Sequence, residues 1–139
     1  MSETTTGLIG EHTALAAILS MDGGWKATHC PMDRIDVLAF CEQTFIRVQV
    51  KTATLAIHCH HKSARHHFNL GHGCKTKHLP KPSDYDVLCL VSPNARRCLF
   101  MPVTDVRQYS MRLPASRFTI EEEASSWAKT VDIILEMRR

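Results

Sequence analysis

The stretch "RIDVLAFCEQTFIRVQVKTAT" holds two apolar-rich runs separated by a two-residue polar break, Glu42-Gln43. Two strands joined by so short a turn must run antiparallel, and the turn fixes which residues face each other. Cys41 is expected opposite Thr44 and Phe40 opposite Phe45, with the series continuing to Asp36 opposite Gln49. Directly opposed residues lie about 4.5–5.5 Å apart at Cβ. Side chains alternate along a strand, so Ile46, Val48 and Val50 share one face, while Phe45, Arg47, Gln49 and Lys51 share the other. Asp36, Gln49 and Lys51 are therefore expected on one patch of sheet, where packing alone would favour apolar residues.

Other elements follow from the same kind of pattern. "TGLIGEHTALAAILSMDGG" places Leu8, Leu15 and Ile18 at helical spacing and stops at Gly23-Gly24, which predicts a first helix. Strands are expected at "WKATHC", near "HHFNL", and at "YDVLCLV" and "CLFMPV", the last two joined by a Ser-Pro-Asn turn. The C-terminal "TIEEEASSWAKTVDIILEM" has a capping-box pair, Thr119 and Glu122. Its apolar stripe of Ile120, Trp127, Val131, Ile134 and Leu135 predicts a closing helix. The order of helix, several strands and helix indicates an α/β fold, a central mixed β-sheet flanked by an N-terminal and a C-terminal helix. Its 139 residues fit a single domain, 1–139, with residues 1–5 expected to be flexible.

Net charge is only +3, but its distribution is uneven. Between Glu42 and Asp84 there is no Asp or Glu, while seven Lys/Arg and seven of the nine histidines fall there. That stretch is suited to face anions. Arg47, Lys62, Arg65, Lys75, Lys77 and Lys81 are the residues expected to meet an anionic partner, such as the phosphate backbone of a nucleic acid. The six cysteines are widely spaced, form no C-x-x-C and read mostly as reduced, small apolar residues. With neither a signal-peptide pattern nor an apolar run of membrane-spanning length, the expected location is cytoplasmic.

Glu11 adds another polar group where an apolar one would be expected, three residues after Leu8 and four before Leu15. A carboxylate beside a packing stripe is costly unless something holds it. Two acids, an amide oxygen and an ammonium on neighbouring elements suit a hard divalent cation bound through oxygen. Each residue also has a plainer reading. Gln49 and Lys51 fit the wet face of an edge strand, Asp36 a turn or cap, and Glu11 an acid near a helix N-terminus. In "HCHHKSARHHFNLGHGCKTKH", Cys59, His61, Cys74 and His78 could staple a zinc ion, although Cys59-x-His61 is tighter than the usual pairing.

Gly10-Glu11 on a first helix, Ile35-Asp36 opening a strand and Gln49-x-Lys51 on the next resemble the PD-(D/E)XK nuclease superfamily. The nearest likeness is to the group I intron-associated endonucleases, with their Gln-x-Lys variant, and to Holliday-junction resolvases. The order of the following strands agrees over roughly residues 7 to 105. The resemblance implies a restriction-endonuclease-like core and a Mg²⁺-dependent DNA endonuclease, with Mn²⁺ as a substitute, hydrolysing phosphodiesters through metal-activated water. By the same resemblance Asp36 is the main metal ligand and Glu11 a helix-borne acid near the metal. Gln49 is the ligand usually supplied by Asp or Glu, and Lys51 is the catalytic lysine. Ile35 stands where the motif has proline, and Gln49 lowers the negative charge on the metal site. DNA is the implied partner, as duplex target or junction, and a homodimer or higher homo-oligomer would bring two sites to two strands. The alternative is a non-catalytic nucleic-acid-binding protein with a zinc-stapled Cys/His loop.

Overall fold

The computed structural model describes residues 2–56, 64–73 and 75–139. Helix α1 (Glu3–Leu19) is followed by strands β1 (Lys26–Met32), β2 (Ile35–Cys41), β3 (Thr44–Thr52), β4 (Leu55–Ala56) and β5 (Arg65–Asn69). Then come β6 (Val87–Ser92), β7 (Arg97–Pro102), β8 (Ser110–Pro114) and helix α2 (Ile120–Met137). A five-stranded sheet has the order β1-β2-β3-β6-β7 and a three-stranded sheet the order β4-β5-β8. In the larger sheet β3 and β6 are parallel and the other neighbours antiparallel, so the sheet is mixed. Among the described residues, no helix is long and apolar enough to cross a membrane.

The β2–β3 hairpin has the register its turn predicts, with Cys41 opposite Thr44, Phe40 opposite Phe45 and Val37 opposite Val48. Glu42 supplies the left-handed residue of the turn at φ 56°. The ladder ends there, one step before the expected Asp36–Gln49 pair. The Asp36 carboxylate instead takes the Val50 amide, bonding to backbone where the next ladder rung would fall.

Period-2 alternation divides the interior into two layers. Val37, Ala39, Ile46, Val48, Val87, Cys89, Val91, Cys98 and Phe100 face both helices, meeting Ala14, Ala17 and Ile18 of α1 and Trp127, Val131 and Ile134 of α2. Leu88, Leu90 and Leu99 face the other way, packing with Phe68, Leu70, Tyr85 and Phe118 beneath the smaller sheet. Fully burying one such aliphatic side chain contributes about 1.5–3 kcal/mol. Strand β6 is buried along its whole length because it is covered on both faces.

Several sequence expectations are corrected. Leu8 is half exposed and lies outside the α1 stripe, which consists of Gly10, Ala14, Ala17 and Ile18 at helical spacing. Small residues are required because the helix lies close to the sheet: a Cβ on Gly10 would collide with the Thr52 side chain. On α2, Ile120 and Leu135 are exposed, while Glu123 is buried, its Oε2 accepting the Cys98 amide at 2.8 Å. Thr119 caps α2 by accepting the Glu122 amide. The Glu122 carboxylate, however, lies 3.6 Å from Arg117 instead of closing a reciprocal box. Of the described cysteines, Cys89 and Cys98 are buried, Cys30 and Cys41 are half-buried, and all four are unbridged. Burial pushes the Cys89 thiol well above its usual range.

Candidate active site

Gly10 determines where Glu11 stands. With no side chain to hold them apart, α1 meets β3 at Thr52, and the next helical residue sits beside the end of that strand. Strand β2 delivers Asp36 to the same place, and Asp36 Oδ2 accepts the Val50 amide at 2.8 Å. That bond orients the carboxylate, and its other oxygen accepts no hydrogen bond among the described residues. Strand β3 delivers Lys51, which is next in sequence to Val50.

These groups line one open cleft of about 790 Å³, whose walls include Glu11, Asp36, Lys51, Thr52, Thr54 and His67. Glu11 is partly exposed, and its Oε1 lies 3.8 Å from Nδ1 of His29 on β1. Strand β3 lies inside the sheet between β2 and β6, so its polar face is not that of an edge strand. Gln49 is half-buried, opposite Leu88 of β6, two residues before Lys51 on the same face. It is not among the residues that line the cleft. Sequence pattern thus places Asp36 and Lys51 together, and the structure brings Glu11 to them while leaving Gln49 off the cleft wall.

His67 could not be anticipated, because it reaches the cleft from the smaller sheet. On β5 the buried His66 and Phe68 alternate with the exposed Arg65, His67 and Asn69. His66 fixes that alternation: its Nδ1 donates to the Ala53 carbonyl at 2.8 Å, and its Nε2 lies 3.0 Å from Ser92 Oγ. Ala53 immediately follows β3, so this bond holds β5 against the strand that carries Lys51. Alternating burial in "RHHFN" was the available signal, but the pairing that aims His67 is long-range.

The expected DNA-binding residues fall in different places. Arg65, Lys75, Lys77 and Lys81 are exposed, and Lys62 lies outside the described residues. Arg47 is committed within the protein. Its guanidinium donates to both carboxylate oxygens of Asp86 and to the carbonyls of Pro82 and Ser83. The Asp86 hydrogen bond raises the Arg47 pKa further despite some burial. Asp86 also accepts from the Arg47 amide and from Arg138, so this cluster secures the start of β6. Of the proposed zinc ligands, Cys59, His61 and Cys74 lie outside the described residues, and His78 is bridged to His72.

Among the described residues, no three His, Cys, Asp or Glu side chains are grouped to hold a metal. Two carboxylates with an open approach still fit a cation such as Mg²⁺, which usually keeps several waters and takes only one or two protein carboxylates. The adjacent ammonium of Lys51 suits an anionic substrate.

No protein-family model matches the sequence, and no curated protein matches it. Among solved structures, a bacterial homing endonuclease, I-Ssp6803I, superposes with a TM-score of 0.73 at 16% identity, over 100% of this chain and 99% of that one. A Holliday junction resolvase of the archaeal hyperthermophile Archaeoglobus fulgidus, Hjc, covers 81% of this chain and 86% of its own, with a TM-score of 0.43 and 14% identity. The chain has a fold similar over its whole length to that of a bacterial homing endonuclease.

Proposed function

We propose that the protein is a Mg²⁺-dependent DNA endonuclease whose active site is the cleft holding Glu11, Asp36 and Lys51. The observation that carries this reading is the convergence of those three side chains, from α1, β2 and β3, on one cleft. Asp36 and Glu11 would hold the cation, and Gln49, on the strand face it shares with Lys51, would have to turn toward them to add its amide oxygen. The cation would supply Lewis-acid stabilisation of the phosphate and a more acidic water. Lys51 orients the attacking water and offsets the negative charge that grows on the phosphate oxygens as the bond to phosphorus forms. His67, which lines the same cleft from β5, would contact the substrate backbone.

Arg65, Lys75, Lys77 and Lys81 are exposed cations in the acid-free stretch and would hold the duplex. The full-length likeness to a homing endonuclease supports cutting of a duplex target over junction resolution. Cutting both strands calls for two sites, hence a homodimer or higher homo-oligomer acting on DNA in the cytoplasm. Mn²⁺ would serve in place of Mg²⁺.

The test is incubation with supercoiled, linear and four-way-junction DNA, with Mg²⁺ and with chelator. Nicking or linearisation that needs the cation is expected. Bound but uncut DNA in Mg²⁺ and in Mn²⁺ would instead describe a non-catalytic binding protein.

A further inference from the structure

Away from the cleft, the loop between β5 and β6 forms a second concavity of about 470 Å³, lined by Arg34, His72, Lys77, His78, Lys81 and Tyr109. It draws on separate parts of the chain. Arg34 comes from the β1–β2 turn, two residues before Asp36, and stands at φ 63°. The loop is folded back on itself by paired main-chain bonds between His72 and His78, at 3.0 and 2.8 Å. Gly73 permits this fold at φ 106°, where a Cβ would also meet the Thr76 carbonyl.

The charge balance of this cavity is one-sided. Its neighbouring carboxylate, Asp84, is already engaged: Oδ1 accepts from Arg34 at 2.8 Å and Oδ2 from the Lys81 amide at 3.0 Å. Among the described residues, neither the Lys77 nor the Lys81 ammonium pairs with a carboxylate. Three permanent cations therefore stand against one carboxylate. The His72 Nε2 is buried without a hydrogen-bond partner among the described residues, 3.8 Å from Asp84 Oδ2. A buried polar atom of this kind is costly unless something completes it.

We infer that this cavity is a discrete phosphate-binding site that takes one backbone phosphodiester of the bound DNA, separate from the phosphate that is cut. Lys77 and Lys81 supply the charge, and Arg34 an orienting guanidinium shared with Asp84. The Tyr109 hydroxyl and His72 Nε2 offer hydrogen bonds. Phosphate contacts fix the position of a protein on a duplex without reading its sequence. Because Arg34 is joined to β2, a phosphate held here sets the duplex in register with Asp36. The inference rests on the endonuclease reading for the identity of its ligand.

The test measures binding of a short duplex in chelator, so that no cleavage intervenes, over a range of salt concentrations. It compares the parent, Lys77→Ala/Lys81→Ala, and Lys129→Ala, the loss of an exposed lysine on α2 that does not line the cavity. Both lysines of the double variant are exposed, and circular dichroism checks that it folds. The double variant is expected to bind about tenfold more weakly, with a log–log salt slope smaller by about one. Lys129→Ala should leave affinity unchanged. Inorganic phosphate, added to the parent and followed by the imidazole NMR signals of His72 and His78, is expected to shift them, and to shift them less in the double variant. A double variant with the parent's affinity and slope would overturn the site while leaving the endonuclease reading intact. Phosphate-induced shifts together with unchanged DNA binding would mark a site for free phosphate and likewise overturn the inference. A parent that binds no DNA at all would sink both readings.

Discussion

Asp36 on β2 is hydrogen-bonded through Oδ2 to the backbone amide of Val50 on β3, at 2.8 Å. One carboxylate thereby closes the end of the hairpin ladder while lining the cleft, bonded to the residue that precedes Lys51. One oxygen serves the structure and the proposed mechanism uses the other, so the two duties can be separated experimentally. Asp36→Asn keeps an acceptor for the Val50 amide and loses the negative charge. It should fold with near-parent stability and lose cleavage on the order of 100-fold or more, in line with the loss of a key electrostatic group. Asp36→Ala should lose cleavage equally and also cost about 1–3 kcal/mol, because the amide is left unpaired. Denaturant unfolding and plasmid nicking measured on both variants check the split.

Lys51→Ala should abolish cutting and leave duplex affinity nearly unchanged, because the ammonium is assigned to the transition state and not to ground-state binding. Gln49→Glu should retain activity, since a carboxylate supplies the same oxygen and adds negative charge toward the cation. Comparing cleavage rate with affinity for both variants checks the pair. A fully active Lys51→Ala protein would remove the lysine from the mechanism.

Gly10→Ala should destabilise the fold by about 1–3 kcal/mol, the usual cost of overpacking a tight contact. The new methyl group meets the Thr52 side chain, so Thr52→Ala in the same chain should recover much of the loss. That recovery would appear as coupling in a double-mutant cycle of unfolding free energies. Additive losses would mean that the helix does not approach the strand at this point.

Acid should weaken the loop that precedes β6. Burial pushes the Asp84 pKa up, but the Lys81 amide and the Arg34 guanidinium outweigh it and hold the carboxyl below its usual range. A carboxyl lowered by folding contributes stability that is fully present above its unfolded pKa, about 3.9, and lost as pH falls through the lower folded value. Asp84→Asn should therefore be less stable than the parent at pH 7, with the gap narrowing below about pH 4. Urea midpoints for both proteins across that range provide the measurement.

The sequence by itself determined whatever depends on neighbours along the chain. The Glu42-Gln43 break set the β2–β3 register, because a strand has period two and a short turn leaves no other pairing. Thr119 marked the start of α2 by local capping, and the same periodicity placed Asp36 and Lys51 on one patch. Only the tertiary structure decided what depends on contacts between distant segments. Leu8 carries the right spacing for a core stripe but is exposed, because Gly10 lets α1 settle against Thr52 along a different face. Arg47 resembles a phosphate ligand in an acid-free stretch until Asp86, 39 residues later, surrounds it with acceptors. Glu123 is buried in a helix rich in acids because the amide of Cys98 is there to be satisfied. His67 reaches the cleft because β5 joins a second sheet, whose third strand, Ser110–Pro114, pairs with it from far along the chain. Local periodicity reports which way a side chain points from its own element. It carries no record of which distant surface meets it, and that meeting assembled the cleft.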